Sequence, residues 1–404
     1  MRSAITAASA ATLILCGCGG GGSMPAAGTA DNEAAAAAAG VALDPSVLST
    51  GRHGTYVQRD LVSDGAVAAE HTDPNLKNAW GLDALPSTPW WVADNATGES
   101  TLYDAEGIAQ PTTPGPLVVT IPGVSGPGAP SGLSANPTND FPVTIEGVTA
   151  PARFIFASED GTISAWTRSA TLVPTTAAVV VPSIDGAVFK GLALASTRTG
   201  SRLFATDFHN GLIRVYDGAF RPVSLPSGAF TDPDIPQGFA PFGIRRIAGV
   251  LLVTYAMQDA DRHDDVKGPG FGFVDAYSTG GRLLARIASR GKLNSPWGIT
   301  LAPPRFGQHG LRLLVGNFGD GHIISFGLRR DGGPERGDDQ RGDLDDEGVY
   351  LMGQSGPIVI DGLWALSFGN GGPAGPSNTL FFTAGPNDEN DGLFGRIDFA
   401  PQAR

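Results

Sequence analysis

Short apolar runs recur along the chain, and glycine, proline, asparagine or aspartate bounds each of them. The stretch FATDFHNGLIRVYD (204–217) alternates apolar and polar positions on both sides of Asn210-Gly211, which predicts a β-hairpin. Related stretches are WVADNATGESTLYD, FASEDGTISAW and LVGNFGDGHIISFG. The pattern therefore predicts an all-β protein made of repeated hairpins.

Another short apolar strand precedes each hairpin and carries a small residue at a fixed place. Six copies of this key position are present: Gly81, Gly132, Gly191, Gly243, Gly298 and Ala365. Successive copies lie 51 to 67 residues apart, and a third and usually a fourth strand follow. Four short strands in a repeat of about 50 residues are typical of a propeller blade, whose two apolar faces are covered by its neighbours. The sequence predicts a six-bladed β-propeller.

The last repeat is one strand short, because the chain ends after its third strand. Residues 55–64 (TYVQRDLVSD) precede the first repeat and have no blade of their own. We predict that they form the outer strand of blade six, so that both chain ends close the ring and no long edge stays open. The charged, glycine-rich segment 328–348 is predicted to be a solvated insertion in blade five.

The N-terminus has the pattern of an export signal. Residues 1–17 contain one positive charge, an apolar run and small residues, and the end of this segment resembles a bacterial lipobox with Cys18 as the acylated cysteine. Residues 18–50 are rich in Gly and Ala and read as a tether, which leaves 51–404 for the propeller. Gly19 points away from inner-membrane retention, so we expect an exported lipoprotein of the outer membrane or facing the periplasm. The alternative is an ordinary cleaved signal with incidental cysteines.

Charge limits the classes of partner. The chain has 40 acidic and 27 basic residues, a formal net charge of −13. Such a chain repels nucleic acid and anionic lipid, so we expect no nucleic-acid partner and membrane contact through the lipid anchor only. The expected partner is a protein or small-molecule ligand on one propeller face, and the expected state is a monomer.

The phrases NAWGLDA, WWVADNATGESTLYDAEG, LNSPWGITLAP and LLVGNFGDG resemble the NHL-type propeller repeat. Residues 55 to 404 more closely resemble a bacterial family of exported propellers. This resemblance implies a fold and no activity, since NHL-like propellers include binding platforms, lactonases and lyases. We expect a binding or scaffold module of the cell envelope, or alternatively a metal-dependent hydrolase of the lactonase type with its site at the central channel.

Oxygen-bearing side chains end the second strand of several repeats: Asp94, Glu159, Asp207 and Asn317. Equivalent positions of a ring face a common axis, and oxygen ligands suit Ca²⁺, so the four residues form a candidate site for that cofactor. The alternative is structural, because Asp and Asn after a strand cap the turn through the backbone. An enzyme would need to assemble its site from separate blades, since no P-loop, H-E-x-x-H or G-x-S-x-G string is present.

Aromatic residues stand directly before four key positions: Trp80, Phe242, Trp297 and Trp364. They either stack a sugar at the channel mouth or pack between adjacent blades. His209, His263 and His322 lie in loops and are the candidates for a zinc site, although their repeat positions differ. Two loops, DADRHDD (259–265) and NDENDG (387–392), are acidic and read either as weak cation sites or as solvated loops.

Overall fold

The structure is a computed structural model that describes residues 54–184, 186–327 and 348–402. The predicted signal, Cys18, the tether and nearly all of the predicted blade-five insertion lie outside these residues. The chain first forms β1 (Gly54–Ser63) and β2 (His71–Thr72), and the remaining strands follow blade by blade. Within the described residues, no helix is long and apolar enough to cross a lipid bilayer.

Each of the six repeats forms one antiparallel blade. Blade one contains β3 (Ala79–Asp83), β4 (Trp90–Asp94), β5 (Glu99–Tyr103) and β6 (Val119–Thr120). Blade two contains β7 (Pro130–Ala135), β10 (Phe154–Ser158), β11 (Ile163–Trp166) and β12 (Ala178–Val181), with a separate hairpin of β8 (Pro142–Ile145) and β9 (Val148–Pro151). Blade three contains β13 (Phe189–Thr197), β14 (Gly200–Asp207) and β15 (Leu212–Asp217).

The second half of the ring repeats this plan. Blade four contains β16 (Phe239–Ile247), β17 (Val250–Met257), β18 (Phe273–Tyr277) and β19 (Leu283–Ser289). Blade five contains β20 (Pro296–Leu301), a 3-10 turn (Gly307–His309), β21 (Leu313–Asn317), β22 (Ile323–Phe326) and β23 (Val349–Tyr350). Blade six contains β24 (Leu363–Phe368), β25 (Leu380–Ala384) and β26 (Leu393–Pro401).

The predicted closure is confirmed. Strand β1 pairs antiparallel with β26 from Gly54↔Pro401 to Ser63↔Leu393, so the N-terminal strand completes blade six. Strand β2 adds a short parallel pairing outside β1, which the sequence pattern did not predict. The first strand of every blade contacts the first strand of the next, and β24 contacts β3, so the six-membered ring is closed around one axis.

Blade three departs from the predicted four strands. After Asp217 the described chain makes one isolated bridge, Tyr216↔Pro222, instead of a fourth strand. Proline has no backbone N–H to donate to a ladder, and Pro222 and Pro226 both fall in this segment. Between blades, large aromatic side chains supply the packing: Trp91 stacks on Phe154 with ring centroids 4.2 Å apart.

Candidate functional site

The key glycines bring the innermost strands unusually close together. A β-carbon added at Gly81 would lie 2.7 Å from the carbonyl oxygen of Ser131 in the next blade, and one at Gly191 would lie 2.8 Å from that of Phe242. Only glycine permits such an approach of two backbones. The close ring directs the residue before each glycine to the central axis.

The aromatic residues at that position fill the axis. Trp80 lies 3.8 Å from Trp364 and 6.1 Å from Trp297, measured between ring centroids, although Trp80 and Trp297 belong to blades that are not neighbours. Phe318 stacks on Trp364 at 3.8 Å, and Phe242 lies 5.9 Å from Trp364. We call this cluster the aromatic plug; it comprises Trp80, Phe208, Phe242, Trp297, Phe318 and Trp364.

Of the two sequence-based expectations for these aromatics, packing between blades fits the plug, because Trp364 contacts Trp80 and Trp297 of the two adjacent blades. Trp80, Phe242, Trp297 and Trp364 are at most 9% exposed, so they offer no open face to a sugar at a channel mouth. They also contact one another across the axis and are not confined to the seam between adjacent blades. Their packing removes water from the centre of the ring at one end, which we call the plugged face. Its hairpins and loops are 95–98, 159–162, 208–211, 258–272, 318–322 and 385–392.

In blade three, a cation replaces the aromatic side chain at the position before the key glycine. Lys190 occupies the position of Trp80 and Trp297, and its side chain is only 2% exposed. Its ammonium lies 5.0 Å from the ring centroid of Trp80, within the range of a cation–π contact. A lysine is almost never this buried unless it is paired, so the partners of Lys190 are the next residues of the candidate site.

The partners of Lys190 come from two other blades. Its ammonium donates to Glu159 Oε1 and, at 3.1 Å, to Asp264 Oδ1. His263 Nδ1 lies 2.9 Å from the same Asp264 oxygen. Burial lowers the pKa of Lys190, but the two carboxylates outweigh burial and raise it, so this lysine is a fixed positive charge and not a nucleophile.

Two asparagines connect these charges to the plug. Asn78 Nδ2 donates to Glu389 Oε2 at 2.7 Å and to Asn95 Oδ1 at 3.2 Å. Asn95 Nδ2 donates to Glu159 Oε2 at 2.9 Å. Asn78 Oδ1 accepts the indole N–H groups of Trp80 (2.8 Å) and Trp364 (2.9 Å). The network spans blades six, one, two, three and four, and we call it the axial polar site: Asn78, Asn95, Glu159, Lys190, His263, Asp264 and Glu389.

Two long loops deliver the exposed members of the site. The loop 258–272 between β17 and β18 carries His263 and Asp264, whereas the matching hairpins of blades one to three turn within 95–98, 159–162 and 208–211. Loop 385–392 carries Glu389 within a run of three left-handed residues, Asn387 to Glu389, with φ between 51° and 65°. Such backbone is costly for non-glycine residues and concentrates at functional sites.

The charge of the site is unbalanced. Glu159, Asp264 and Glu389 face the single ammonium of Lys190, and Asp264 is 66% exposed. Burial raises the pKa of Asp264, but Lys190 and His263 outweigh burial and hold it below its usual value. For Glu389, burial raises the pKa despite the hydrogen bond from Asn78. The site thus presents surplus negative charge and free acceptor oxygens to whatever approaches the plugged face.

The four predicted metal ligands do not meet at the axis. Glu159 is not at the repeat position of Asp94 and Asp207, because Ser158 is the residue that pairs with the start of β7 as Asp94 does with the start of β3. Successive strand residues point to opposite sides, so Glu159 reaches the axis together with Asn95. This one-residue correction explains why a single acidic member of the predicted set lies in the axial polar site.

Asp207 and Asn317 have structural roles after their strands, which was the alternative to metal binding. Asp207 Oδ2 accepts from Arg214 Nε at 2.7 Å and from Asn210 Nδ2 at 2.9 Å. Asn317 Nδ2 donates to the carbonyl of Lys292 at 2.8 Å and to Asp320 Oδ1 at 3.0 Å. Asp207 thus serves its own hairpin, and Asn317 joins its hairpin to the segment that precedes β20.

Asp94 stands apart from its repeat equivalents. Its carboxylate is fully buried, and neither of its oxygens has a hydrogen-bond partner among the described residues. Thr101 occupies the place that Arg214 holds beside Asp207, and its neutral hydroxyl carries no charge with which to form an ion pair. Burial therefore raises the pKa of Asp94 well above its ordinary value, with Asp73 and Glu99 adding to the shift.

A different group has the spacing of metal ligands. In the part of the chain that the structure describes, Glu159, His263 and Asp264 are the three His, Cys, Asp or Glu side chains whose ligand atoms all lie within 4.8 Å of one another. The donor set fits Ca²⁺ poorly, since that ion takes six to eight oxygen ligands and the ammonium of Lys190 already bonds both carboxylates. His209 bonds Arg262 and His322 packs on Tyr350, so neither joins His263 at a zinc site.

Sequence reasoning missed Asn78, Asn95 and Lys190 as site residues, and it included Asp264 and Glu389 only within two loops that it named as weak candidate cation sites. A signal for Lys190 was present, because it is the charged residue in a column that is otherwise aromatic or, in blade two, Ser131. The acidic loops were noticed, but nothing in a single sequence shows that they lean towards the axis. That placement depends on loop length and on tertiary contacts with Glu159 and Asn78.

Comparison with known proteins places the chain in a family. "Uncharacterized protein R648" of Acanthamoeba polyphaga mimivirus is 32% identical over 350 residues, which cover 83% of this chain and 78% of that protein. "Uncharacterized protein L690" of the same virus is 29% identical over 85% of this chain and 86% of its own length. The chain belongs to the family of R648. No family model matches the chain.

These relatives correct one expectation and leave the activity open. They are proteins of a mimivirus, so the restriction of the family to bacteria is not supported. Among solved structures, a "Streptogramin B lyase structure" aligns with a TM-score of 0.48 and 12% identity over 87% of this chain and all of that protein. This likeness concerns the fold alone, and no functional argument rests on it.

Proposed function

We propose that this propeller is a binding or scaffold module whose ligand site is the axial polar site. The observation that carries the proposal is Lys190, a buried cation in an aromatic column, held by carboxylates from two other blades. Five blades contribute side chains to one network, whose buried members Asn78 and Lys190 connect to the exposed His263 and Asp264. Binding residues are commonly found on loops that a rigid scaffold positions.

The surplus of carboxylates defines the class of ligand. Three acidic groups against one ammonium favour a positively charged partner, and the exposed Asp264 and the half-buried Glu389 can accept its hydrogen bonds. A Lys or Arg side chain of a protein partner meets this description. Charge complementarity of this kind mainly gives specificity and a fast association rate.

A peptide titration tests the proposal. We expect Ala-Lys-Ala and Ala-Arg-Ala to bind the full chain and Ala-Gln-Ala not to bind, as measured by calorimetry at low salt. Asp264→Asn should weaken binding roughly fivefold, about 1 kcal/mol, which is the upper end for a solvent-exposed charge pair. The matched control is Asp261→Asn, an exposed aspartate of the same loop outside the network. Equal affinity for the neutral peptide, or equal losses in both variants, would overturn the proposal.

We also propose that the module is exported and held at the cell envelope by a lipid on Cys18. The support is the lipobox-like end of the signal and the Gly/Ala tether that follows it. A single acyl chain gives marginal membrane affinity, so stable anchoring would require the multiple acylation of a bacterial lipoprotein. Cys18→Ala should move the protein from the membrane to the soluble fraction. Retention of the variant in the membrane fraction would contradict the anchor.

A metal-dependent hydrolase remains the second candidate, and the spacing of Glu159, His263 and Asp264 favours it. The ammonium of Lys190 opposes it, because a divalent ion would need to displace that cation. If this candidate holds, Zn²⁺ or Ca²⁺ should raise the melting temperature of the wild type and a chelator should lower it, since an ion bound only by the native state stabilises it. We expect no shift with either ion.

A further inference from the structure

The other end of the axis is an open channel. Below the plug, the innermost strands enclose a cavity of about 280 Å³ whose inner wall includes Trp297. Its lining reaches solvent at Pro137, Ser196 and Arg246, which are exposed, and we call this end the channel face. Ligand pockets run from about 300 Å³ upwards, so this channel suits a small molecule.

The channel has an apolar collar next to the key glycines. The residue after the key position is aliphatic in every blade: Leu82, Leu133, Leu192, Ile244, Ile299 and Leu366. These six aliphatic side chains, one from each blade, are largely buried, and the part of each that lines the cavity makes this level of the channel apolar. The collar alone would accept many ligands and discriminate among few of them.

One residue further along, two blades depart from the repeat with opposite charges. Blades two, three, five and six carry Ser134, Ala193, Thr300 and Ser367 at this position, whereas blade one carries Asp83 and blade four carries Arg245. Blades one and four stand opposite each other in a ring of six. The channel therefore holds one acid and one base at the same level of its wall.

Each charge is held in place by neighbouring groups. Asp83 accepts the backbone N–H of Ala135 at 2.8 Å and that of Ala84 at 2.9 Å. Arg245 donates to the carbonyl of Leu366 at 2.7 Å and to Ser367 Oγ at 2.8 Å, which draws its side chain across the channel. Burial raises the pKa of Asp83 and lowers the pKa of Arg245, although each charge favours the other. Burial thus disfavours both charges, although both residues are only half-buried, and each would gain from an added partner of opposite charge.

We propose that this channel binds a free α-amino acid with an apolar side chain. The ammonium group of the amino acid would face Asp83, its carboxylate would face Arg245, and its side chain would contact the aliphatic collar. A guanidinium offers the paired N–H groups that a carboxylate prefers. This inference goes beyond the function proposed for the plugged face and does not depend on it, because the aromatic plug separates the two sites.

Calorimetry with the full chain tests the proposal, using L-leucine as the probe. Its two monopolar analogues, 4-methylpentanoate and 3-methylbutylamine, keep the side chain and remove one charge each. L-leucine should bind at least tenfold more tightly than either analogue, because each analogue lacks one of the two charge pairs that the amino acid makes. Equal affinities for the three compounds, or no heat with L-leucine at millimolar concentration, would overturn the proposal.

Variants locate the binding in the channel. Arg245→Gln and Asp83→Asn should each weaken L-leucine binding at least tenfold, while the exposed Arg168→Gln, a matched control on blade two, should bind as the wild type does. Ser134→Leu narrows the channel without removing either charge and should also abolish binding, which keeps the test decisive if a charge variant fails to fold. Undiminished binding by Ser134→Leu in a folded protein would contradict the proposed site.

Discussion

The two ends of the central axis are built from the same six strands and present opposite chemistry. On the plugged face, the residue before each key position supplies Trp80, Phe242, Trp297 and Trp364, which leave at most 9% of any ring exposed. On the channel face, the residue after it supplies only aliphatic side chains, which leave a cavity of about 280 Å³. The difference teaches that in a closed ring two residues along a strand separate a filled axis from a hollow one.

The two ends also differ in how they handle charge. The axial polar site joins Lys190 directly to Glu159 and Asp264, so its charges are paired within the protein. In the channel, Asp83 and Arg245 bond mainly to backbone and attract each other from a distance. In the axial polar site, the internal ion pairs leave a surplus of negative charge that a cationic partner can bind. In the channel, the two charges are separated, and a ligand can bind in the space between them.

The largest expected effect is the difference in unfolding free energy between a substitution in the aromatic plug and one in the channel wall. Trp364→Ala removes a ring that contacts Trp80, Phe242, Trp297 and Phe318, and should cost roughly 3–5 kcal/mol in the free energy of unfolding. Leu194→Ala on the half-buried channel wall should cost about 1–2 kcal/mol, because that side chain already meets solvent in the cavity. Urea unfolding of both variants measures the difference. Equal losses of unfolding free energy in the two variants would contradict the proposed difference between a filled and a hollow end of the axis.

The next effect concerns the buried cation. Lys190→Met leaves Glu159 without its ammonium partner and should cost about 2 kcal/mol, less than for a fully buried pair because Asp264 is exposed. Arg221→Met, which removes a largely exposed arginine from Asp217, should cost at most about 0.5 kcal/mol. A cost for Lys190→Met no larger than that of Arg221→Met would show that the axial pairs carry little energy.

The pH dependence of that loss has a defined sign. Lys190 holds the pKa of Asp264 below its usual value despite burial, so the stabilisation is present above a pH of about 4 and is lost as the pH falls through the folded pKa. The pKa of Lys190 is raised, so the same stabilisation persists through neutral pH and is lost only as the pH rises through that folded pKa, above about 10. Unfolding curves of wild type and Lys190→Met should therefore converge at both extremes.

The smallest expected effect is the difference in stability between equivalent aspartate variants of blades one and three, at Asp94 and Asp207. Because burial raises the pKa of Asp94, its contribution is present at low pH and is lost as the pH rises through the folded value. Asp94→Asn cannot ionise and should therefore exceed the wild type in stability near pH 9. Asp207→Asn should instead lose stability, because it breaks the pair with Arg214. Melting temperatures across pH decide, and a destabilised Asp94→Asn would contradict the account.

The repeat made the fold predictable, because six key positions and a last blade one strand short determine both blade count and closure. The strand predicted at 55–64 differs from β1 (Gly54–Ser63) by one residue at each end. The missing fourth strand of blade three and the extra hairpin of blade two were not predicted, since short irregular segments carry no periodic signal.

The site was less predictable than the fold. Counting along the repeat placed Asp94, Asp207 and Asn317 at one position correctly and shifted Glu159 by one residue, since Ser158 is the residue that pairs with the start of β7. The sequence-based prediction selected similar residues at equivalent repeat positions. The site instead lies where individual blades differ from the repeat, at Lys190 and in loops 258–272 and 385–392. Those loops reach the axis through tertiary contacts that the sequence pattern does not encode.

The indole N–H signals of the tryptophans report on both ends of the axis in one experiment. Trp80 and Trp364 donate to Asn78 beneath the axial polar site, and Trp297 donates to the carbonyl of Lys190 while it also lines the channel. Trp90, Trp91 and Trp166 lie between blades and outside the plug, where they serve as internal controls. Tryptophan-to-phenylalanine substitutions assign the signals.

We would titrate the ¹⁵N-tryptophan-labelled full chain with Ala-Lys-Ala and follow these six resonances by NMR. The account predicts that the Trp80 and Trp364 indoles shift with the peptide, that Trp91 and Trp166 stay still, and that Asp264→Asn reduces the shifts. A peptide that moves Trp91 or Trp166 and leaves Trp80 and Trp364 unchanged would contradict binding at the axial polar site.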